Sequence, residues 1–156
     1  MTEAGQRLLQ AFETIYRTRM AGMPMVNPAL CVAVVGFDHP EYAQLGILIT
    51  PWSMNLVLLP QAQEDWSTLK PGSKQLHIFP SGCYEFVVGD EPGLGRYQMC
   101  SLFSPMFEFH DQATAEATAQ AALAALVEGQ QAEQAPSPQG KAPLSRRAFV
   151  SGGLLR

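Results

Sequence analysis

The chain has 156 residues, 47% of hydrophobic type and only 15% charged, which suits one packed domain with a short remainder and excludes both wholesale disorder and two full domains. A formal charge of -4 argues against a protein built to bind the phosphate backbone of a nucleic acid. The charge is uneven: all 14 Asp and Glu lie between Glu3 and Glu133, whereas four bases and no acid follow Pro136.

Three cysteines, Cys31, Cys83 and Cys100, are too few and too odd for a disulfide-stapled secreted domain, so a reducing compartment is expected. The opening residues lack a basic-then-apolar leader, and no apolar run reaches the roughly 18 residues of a membrane span. The expected location is the cytoplasm.

Residues 6–20 read as an amphipathic helix, because Leu8, Leu9, Phe12, Ile15 and Tyr16 recur at spacings of three and four. Gly22 and Pro24 end it. The connection 23–30 holds two prolines and no period, and its Met23, Met25 and Val26 either cover a core edge or offer an adaptable apolar surface. From residue 31 the period changes to that of strands, at 31–37, 45–50, 54–59, 74–79, 84–88 and 97–103, with Pro- and Gly-rich turns between them. The gaps are mostly too short for crossover helices, which disfavours a doubly wound parallel sheet. Residues 111–127 form an alanine-rich helix capped by Asp111. The expected fold is α+β: a mostly antiparallel meander of five to six strands, with the N-terminal and C-terminal helices packed on one face.

Three divisions follow: a domain over 1–129, a polar Pro/Gln-rich linker over 130–142, and a basic tail over 143–156 that regains apolar residues around Arg146 and Arg147.

The chemistry-bearing patterns are sparse. Gly89–Gly95 contains glycines but sets Asp90 and Glu91 beside them, which would repel a phosphate, and turn formation explains it. His39, His77, His110 and the cysteines have none of the short spacings of closed zinc sites, so no metal or other cofactor is expected. Cys100 lies in a strand running into Ser104-Pro105, as buried packing or as the edge of an apolar groove. Trp52 stands at a strand handover behind Thr50-Pro51, either as core or, with Met54 and the Met23/Met25 loop, as a wall for a docked peptide. In the 74–86 hairpin Tyr84 and Phe86 share a face, and Glu85 alternates outward to solvent or to a partner's arginine.

Taken in order, Gly46–Pro60, Phe79–Phe86 and Tyr97–Met106 between two helices resemble the HybE-type NiFe-hydrogenase assembly chaperones, over about residues 5–128. Thr50, Pro51, Trp52, Cys100, Ser101, Ser104 and Pro105 carry the resemblance. It implies a non-enzymatic cytoplasmic chaperone that engages a hydrogenase small-subunit precursor bearing a twin-arginine signal, with contact to the large subunit or to other maturation proteins. Some relatives carry a rubredoxin-like segment with Cys-x-x-Cys pairs, which this chain lacks.

The tail sequence Ser145-Arg-Arg-Ala-Phe-Val150 itself resembles a twin-arginine motif at the wrong end of the chain. Arg146, Arg147 and Phe149 therefore join the partner-binding candidates, as a mimic that occupies the client's peptide site in cis. Two rival readings remain: a small cysteine-dependent enzyme, with Cys83 or Cys100 as nucleophile and His77 as base, and a general adaptor that binds mature subunits as well.

Overall fold

The computed structural model describes residues 2–61, 63–129, 148–149 and 151–155. The 130–142 linker, Arg146 and Arg147 lie outside the described residues. Two compact units make up the chain: Met1–Gln75 with Phe86–Gln120, and Leu76–Glu85 with Ala121–Arg156.

Helix α1 (Glu3–Ile15) begins where the Thr2 hydroxyl accepts a hydrogen bond from Gly5 N at 3.2 Å, with Glu3 set favourably in the positive first turn. Leu8 and Phe12, one turn apart, form its buried stripe. The helix widens at its end into a π-helical turn, Tyr16–Met20, in which Ala21 N donates to Tyr16 O at 2.8 Å. Thr14 and Thr18 donate their hydroxyls to the carbonyls four residues back, at 3.0 and 2.7 Å, a bond that competes with the backbone ladder and bends helices.

Six strands follow: β1 (Ala33–Gly36), β2 (Leu45–Thr50), β3 (Ser53–Leu58), β4 (Lys74–Phe79), β5 (Gly82–Glu91) and β6 (Gly95–Phe103); helix α2 (Gln112–Glu128) comes after them. The sheet order is β1-β2-β3-β6-β5-β4, and the β1–β2, β2–β3, β3–β6 and β5–β6 ladders are antiparallel. This is the expected α+β arrangement of two helices and an antiparallel sheet. It consists of two three-stranded runs, and the second joins the first through β6 instead of β4, because the 59–73 connection is long enough to release β4 from its predecessor. Two short segments, β7 (Ala148–Phe149) and β8 (Ser151–Leu155), pair with each other.

In the first unit the ladders place Val34, Leu48, Val57 and Met99 on one face. There Leu8 and Phe12 of α1 pack with Leu48, Val57 and Tyr97, and Phe12 meets Tyr97 edge-on at 5.9 Å. The other face is just as sealed: Leu45, Ile47, Ile49, Met54 and Leu56 are all 2% exposed or less. Every residue of β2 and β3 is buried, which is why both strands read as near-continuous apolar runs. Close approach adds to the packing, since a Cβ on Gly46 would overlap the Phe37 ring and one on Gly89 would lie 2.6 Å from Tyr97. The fully buried Ala115 and Ala119 of α2 lie outside α1's cluster.

In the second unit, β4 and β5 turn at Pro80 and Ser81, and the Phe79 and Tyr84 rings meet edge-on at 6.1 Å. Ser81 N donates to Leu126 O at 3.3 Å, and Gly129, at φ 76, closes the helix so tightly that a Cβ there would lie 2.9 Å from Pro80.

Candidate functional site

Three of the sequence strings singled out above converge on one residue that composition does not advertise, Asn27. It is 7% exposed, and its amide nitrogen donates to Met106 O at 3.0 Å and to Phe109 O at 2.8 Å. Its backbone N donates to Pro51 O at 2.8 Å, and its side-chain oxygen accepts from Ala29 N at 3.0 Å. One asparagine thus ties the Met23/Met25 connection, the β2–β3 turn and the segment after β6 together. An amide is suited to this because it offers two donors and an acceptor in one plane.

The β2–β3 turn is held from within. Thr50 Oγ1 accepts from Ser53 N at 2.9 Å and from Trp52 N at 3.3 Å, and donates to Ser53 O at 3.1 Å. Asn55 donates to Ser53 Oγ at 3.1 Å, which gives the polar residue in an apolar strand its partner. Pro51 fixes the backbone in between, and Trp52 emerges half-buried, its ring stacked on Tyr16 at 6.2 Å with 19° between planes. Tyr16 opens the π-helical turn, so the irregular end of α1 supplies the tryptophan's support. Wide turns of this kind occur often at functional sites.

Around this frame the surface is apolar and adaptable. Met23 and Met25 are each 43% exposed and Phe107 is 50% exposed, with the exposed carboxylate of Glu108 next to it. Ser101, Ser104 and Pro105 are exposed and Cys100 is half-buried opposite Leu56. The Ser104–Pro105 peptide is cis.

Met54 is fully buried, which corrects its expected place in a docking wall, and Thr50, a motif position and partner-binding candidate, is fully buried as well. Met54 faces inward because β3 is covered on both sides, and Thr50 spends its hydroxyl on the turn. Pro51 is buried too and positions its neighbours. Tyr84 and Glu85 belong to the second unit, where Tyr84 is half-buried and shares a 2.7 Å hydrogen bond with Ser81 while Glu85 is exposed. Phe149 lies in β7. Asn27 and Phe107 escaped the sequence reading, and Tyr16 entered it only as part of the apolar stripe of the first helix. Of the first two, Asn27 alone left a trace there, as a polar residue before Pro28 inside an otherwise apolar connection.

Burial, with Glu116 and Glu13 nearby, pushes the Cys31 thiol up, the direction opposite to nucleophile activation. Burial, reinforced by Glu91 and Asp90, raises Tyr97 to about 12. Asp111 is held below the ordinary carboxylate value by hydrogen bonds from Thr114, whose N lies 2.8 Å from Asp111 Oδ1, as befits a cap on α2. The pair Cys83 and His77 does not assemble as nucleophile and base. Cys83 is next to Tyr84 on β5, and Tyr84 shares its face with Phe79 and therefore with His77, so strand alternation turns the thiol the other way. Among the described residues no three His, Cys, Asp or Glu side chains are gathered to hold a metal ion, and no helix is long and apolar enough to cross a membrane.

The profile of the family described as NiFe-hydrogenase assembly chaperone HybE matches residues 3–152, past the 5–128 over which the motif strings carry the resemblance. Protein HoxT of Cupriavidus necator is 44% identical over 94% of this chain and 87% of its own length. A probable rubredoxin, HupJ of Rhodobacter capsulatus, is 43% identical over 74% of this chain but only 42% of its own length. The solution structure of HybE from Escherichia coli superposes with a TM-score of 0.66 at 27% identity, covering 81% of this chain and 78% of that one.

Proposed function

The chain belongs to the NiFe-hydrogenase assembly chaperone family HybE, and from that premise we propose that it binds the small-subunit precursor, through its twin-arginine signal peptide, in the cytoplasm before export. The observation that carries this reading is the Asn27 clamp, which leaves Met23, Met25, Phe107 and half-buried Trp52 on one tied framework. A signal peptide presents a positive end and then an apolar stretch. Flexible thioethers and aromatic rings accept varied apolar side chains, and the acid-rich body, with 14 acids against six bases before Pro136, favours approach of the positive end. Apolar burial at about 25 cal/mol per Å² supplies most of the affinity, and binding of modest strength suits a client that must be released. No bond chemistry is assigned to the protein in this reading; it acts by holding and handing over.

The test compares the small-subunit precursor with the same subunit after removal of its leader. Precursor binding is expected, with the leaderless form at least about tenfold weaker. A Met23→Ser/Met25→Ser variant is expected to lose a similar factor while its thermal unfolding stays cooperative, and Trp52→Ala to lose both affinity and some stability because its stack on Tyr16 goes. Equal binding of both client forms would replace this reading with the general adaptor.

A further inference from the structure

The two ends of one segment return to the same turn. At the first, the Tyr16 ring stacks on Trp52 at 6.2 Å with 19° between planes; at the second, Asn27 N donates to Pro51 O at 2.8 Å. Residues 16–27 are thus closed on the Pro51-Trp52 pair, as in a compact surface loop whose ends lie together. Inside it, Ala21 N donates to Tyr16 O at 2.8 Å, Met23 N to Met20 O at 3.0 Å and Val26 N to Met23 O at 3.1 Å, and exposed Met23 and Met25 stand between the two ties. The ties differ in kind. The Asn27 end is buried and held through the backbone, whereas the Tyr16 end meets the turn through two half-buried side chains. Thr50 fixes the backbone of Trp52 and Ser53 by accepting from both nitrogens, yet leaves the side-chain angles of the indole open, and the flat face of Tyr16 restricts them. Arg19, further along the π-helical turn, pairs with Glu91 at 3.0 Å; its side chain is 59% exposed, so the pair adds little to the hold.

We infer that Tyr16 is a positioning residue for the client: it acts through Trp52, holding the indole where the precursor's apolar stretch is received and closing the loop that presents Met23 and Met25 beside it. This rests on the client reading and adds to it that affinity depends on a surface shaped before the client arrives, because an indole already ordered loses less freedom on binding. Tyr16 suits the task by its place. It follows directly on α1, whose Leu8 and Phe12 are packed in the core, so the ring is carried on an anchored helix. The π-helical turn that starts with it takes one residue more than an α turn and leads the chain away toward Met23.

The test reads the indole and the client separately. In a full-length Trp66→Phe background Trp52 is the sole tryptophan. Tyr16→Leu, which keeps apolar bulk against the core cluster that both rings border, is expected to red-shift Trp52 fluorescence and make it more readily quenched by acrylamide, and to weaken binding of the small-subunit precursor about two- to tenfold. Tyr16→Phe is expected to preserve both readouts, since the ring face and not the hydroxyl makes the stack. Added to Trp52→Ala, Tyr16→Leu is expected to cause no further loss of affinity. Unchanged quenching or unchanged affinity in Tyr16→Leu overturns the inference, as does a Tyr16→Phe variant as weak as Tyr16→Leu. A loss that persists in full in the Trp52→Ala background also overturns it and leaves Tyr16 a role in stability alone. A wild type that binds the leaderless subunit as tightly as the precursor ends the client reading and this role with it, whatever the indole reports.

Discussion

Strands β2 and β4 are both six residues long and both carry large aliphatic side chains, yet they end in opposite environments. β2, Leu45–Thr50, is buried at every position, while β4, Lys74–Phe79, alternates until Ile78 is 82% exposed. The difference lies in neighbours: β2 has β1 and β3 on its two sides and packed layers above and below, whereas β4 ends the sheet. Apolar content therefore states that a strand belongs to the sheet, and position in the sheet decides whether its side chains stabilise the body or remain for something else to cover.

The sharpest way to break this contrast is a pair of truncations read by chemical denaturation. Ile47→Ala is expected to lose about 2–5 kcal/mol, because a fully buried side chain leaves a cavity, while Ile78→Ala is expected to lose less than about 1 kcal/mol. Equal losses would mean that β4 is as firmly covered as β2. Next in size is Asn27→Ala, which leaves the carbonyls of Met106 and Phe109 without their buried donor and is expected to destabilise by about 1–3 kcal/mol. It is also expected to weaken client binding, because the Met23/Met25 connection loses its tie; a variant that loses stability but keeps full affinity would limit the clamp to a folding role.

The alkaline limit tests the α1-covered face. Tyr97 is raised from 10.0 to about 12, so the neutral phenol's contribution is intact below pH 10 and is lost as pH rises toward 12. An ultraviolet titration is expected to show a late tyrosinate step, coincident with unfolding, that Tyr97→Phe removes; a late step that survives this substitution, or none in the wild type, would place Tyr97 in contact with solvent. The smallest effect is at the acid end. The carboxylate of Asp111 lies below 3.8, so its cap on α2 is present above that pH and fades as pH falls through the lowered value. Asp111→Ala is expected to abolish this slight acid dependence of helicity, and an unchanged acid profile would remove the cap from the account.

Local pattern carried much of the architecture. β4 begins and ends where its residues suggest, α2 lies within one residue of the 111–127 expectation, and the amphipathic spacing of Leu8 and Phe12 marks the buried stripe of α1. The site was legible in part. Exposed Met23, Met25 and half-buried Trp52 follow from an unperiodic Met-rich loop and a Thr-Pro-Trp turn. Met54 was misread as available because strand alternation gives a face without telling whether that face is covered. Tyr16 was legible as part of the helix stripe but not as the support of Trp52, and Phe107 gave no signal, since an aromatic residue on a helix or after a strand reads as core until its neighbours are known.

The amino-acid sequence by itself determined the class of fold, the strand and helix segments, the acidic body with its basic end, and the motif strings of the family, because each depends on periodicity or composition within a few residues. Only the tertiary structure decided that β6 and not β4 lies beside β3, that β2 and β3 are sealed on both faces, and that Asn27 joins Pro51, Met106 and Phe109. Those are contacts between residues 24 to 82 positions apart, and their partners are chosen by which surfaces fit and which buried polar groups are satisfied together.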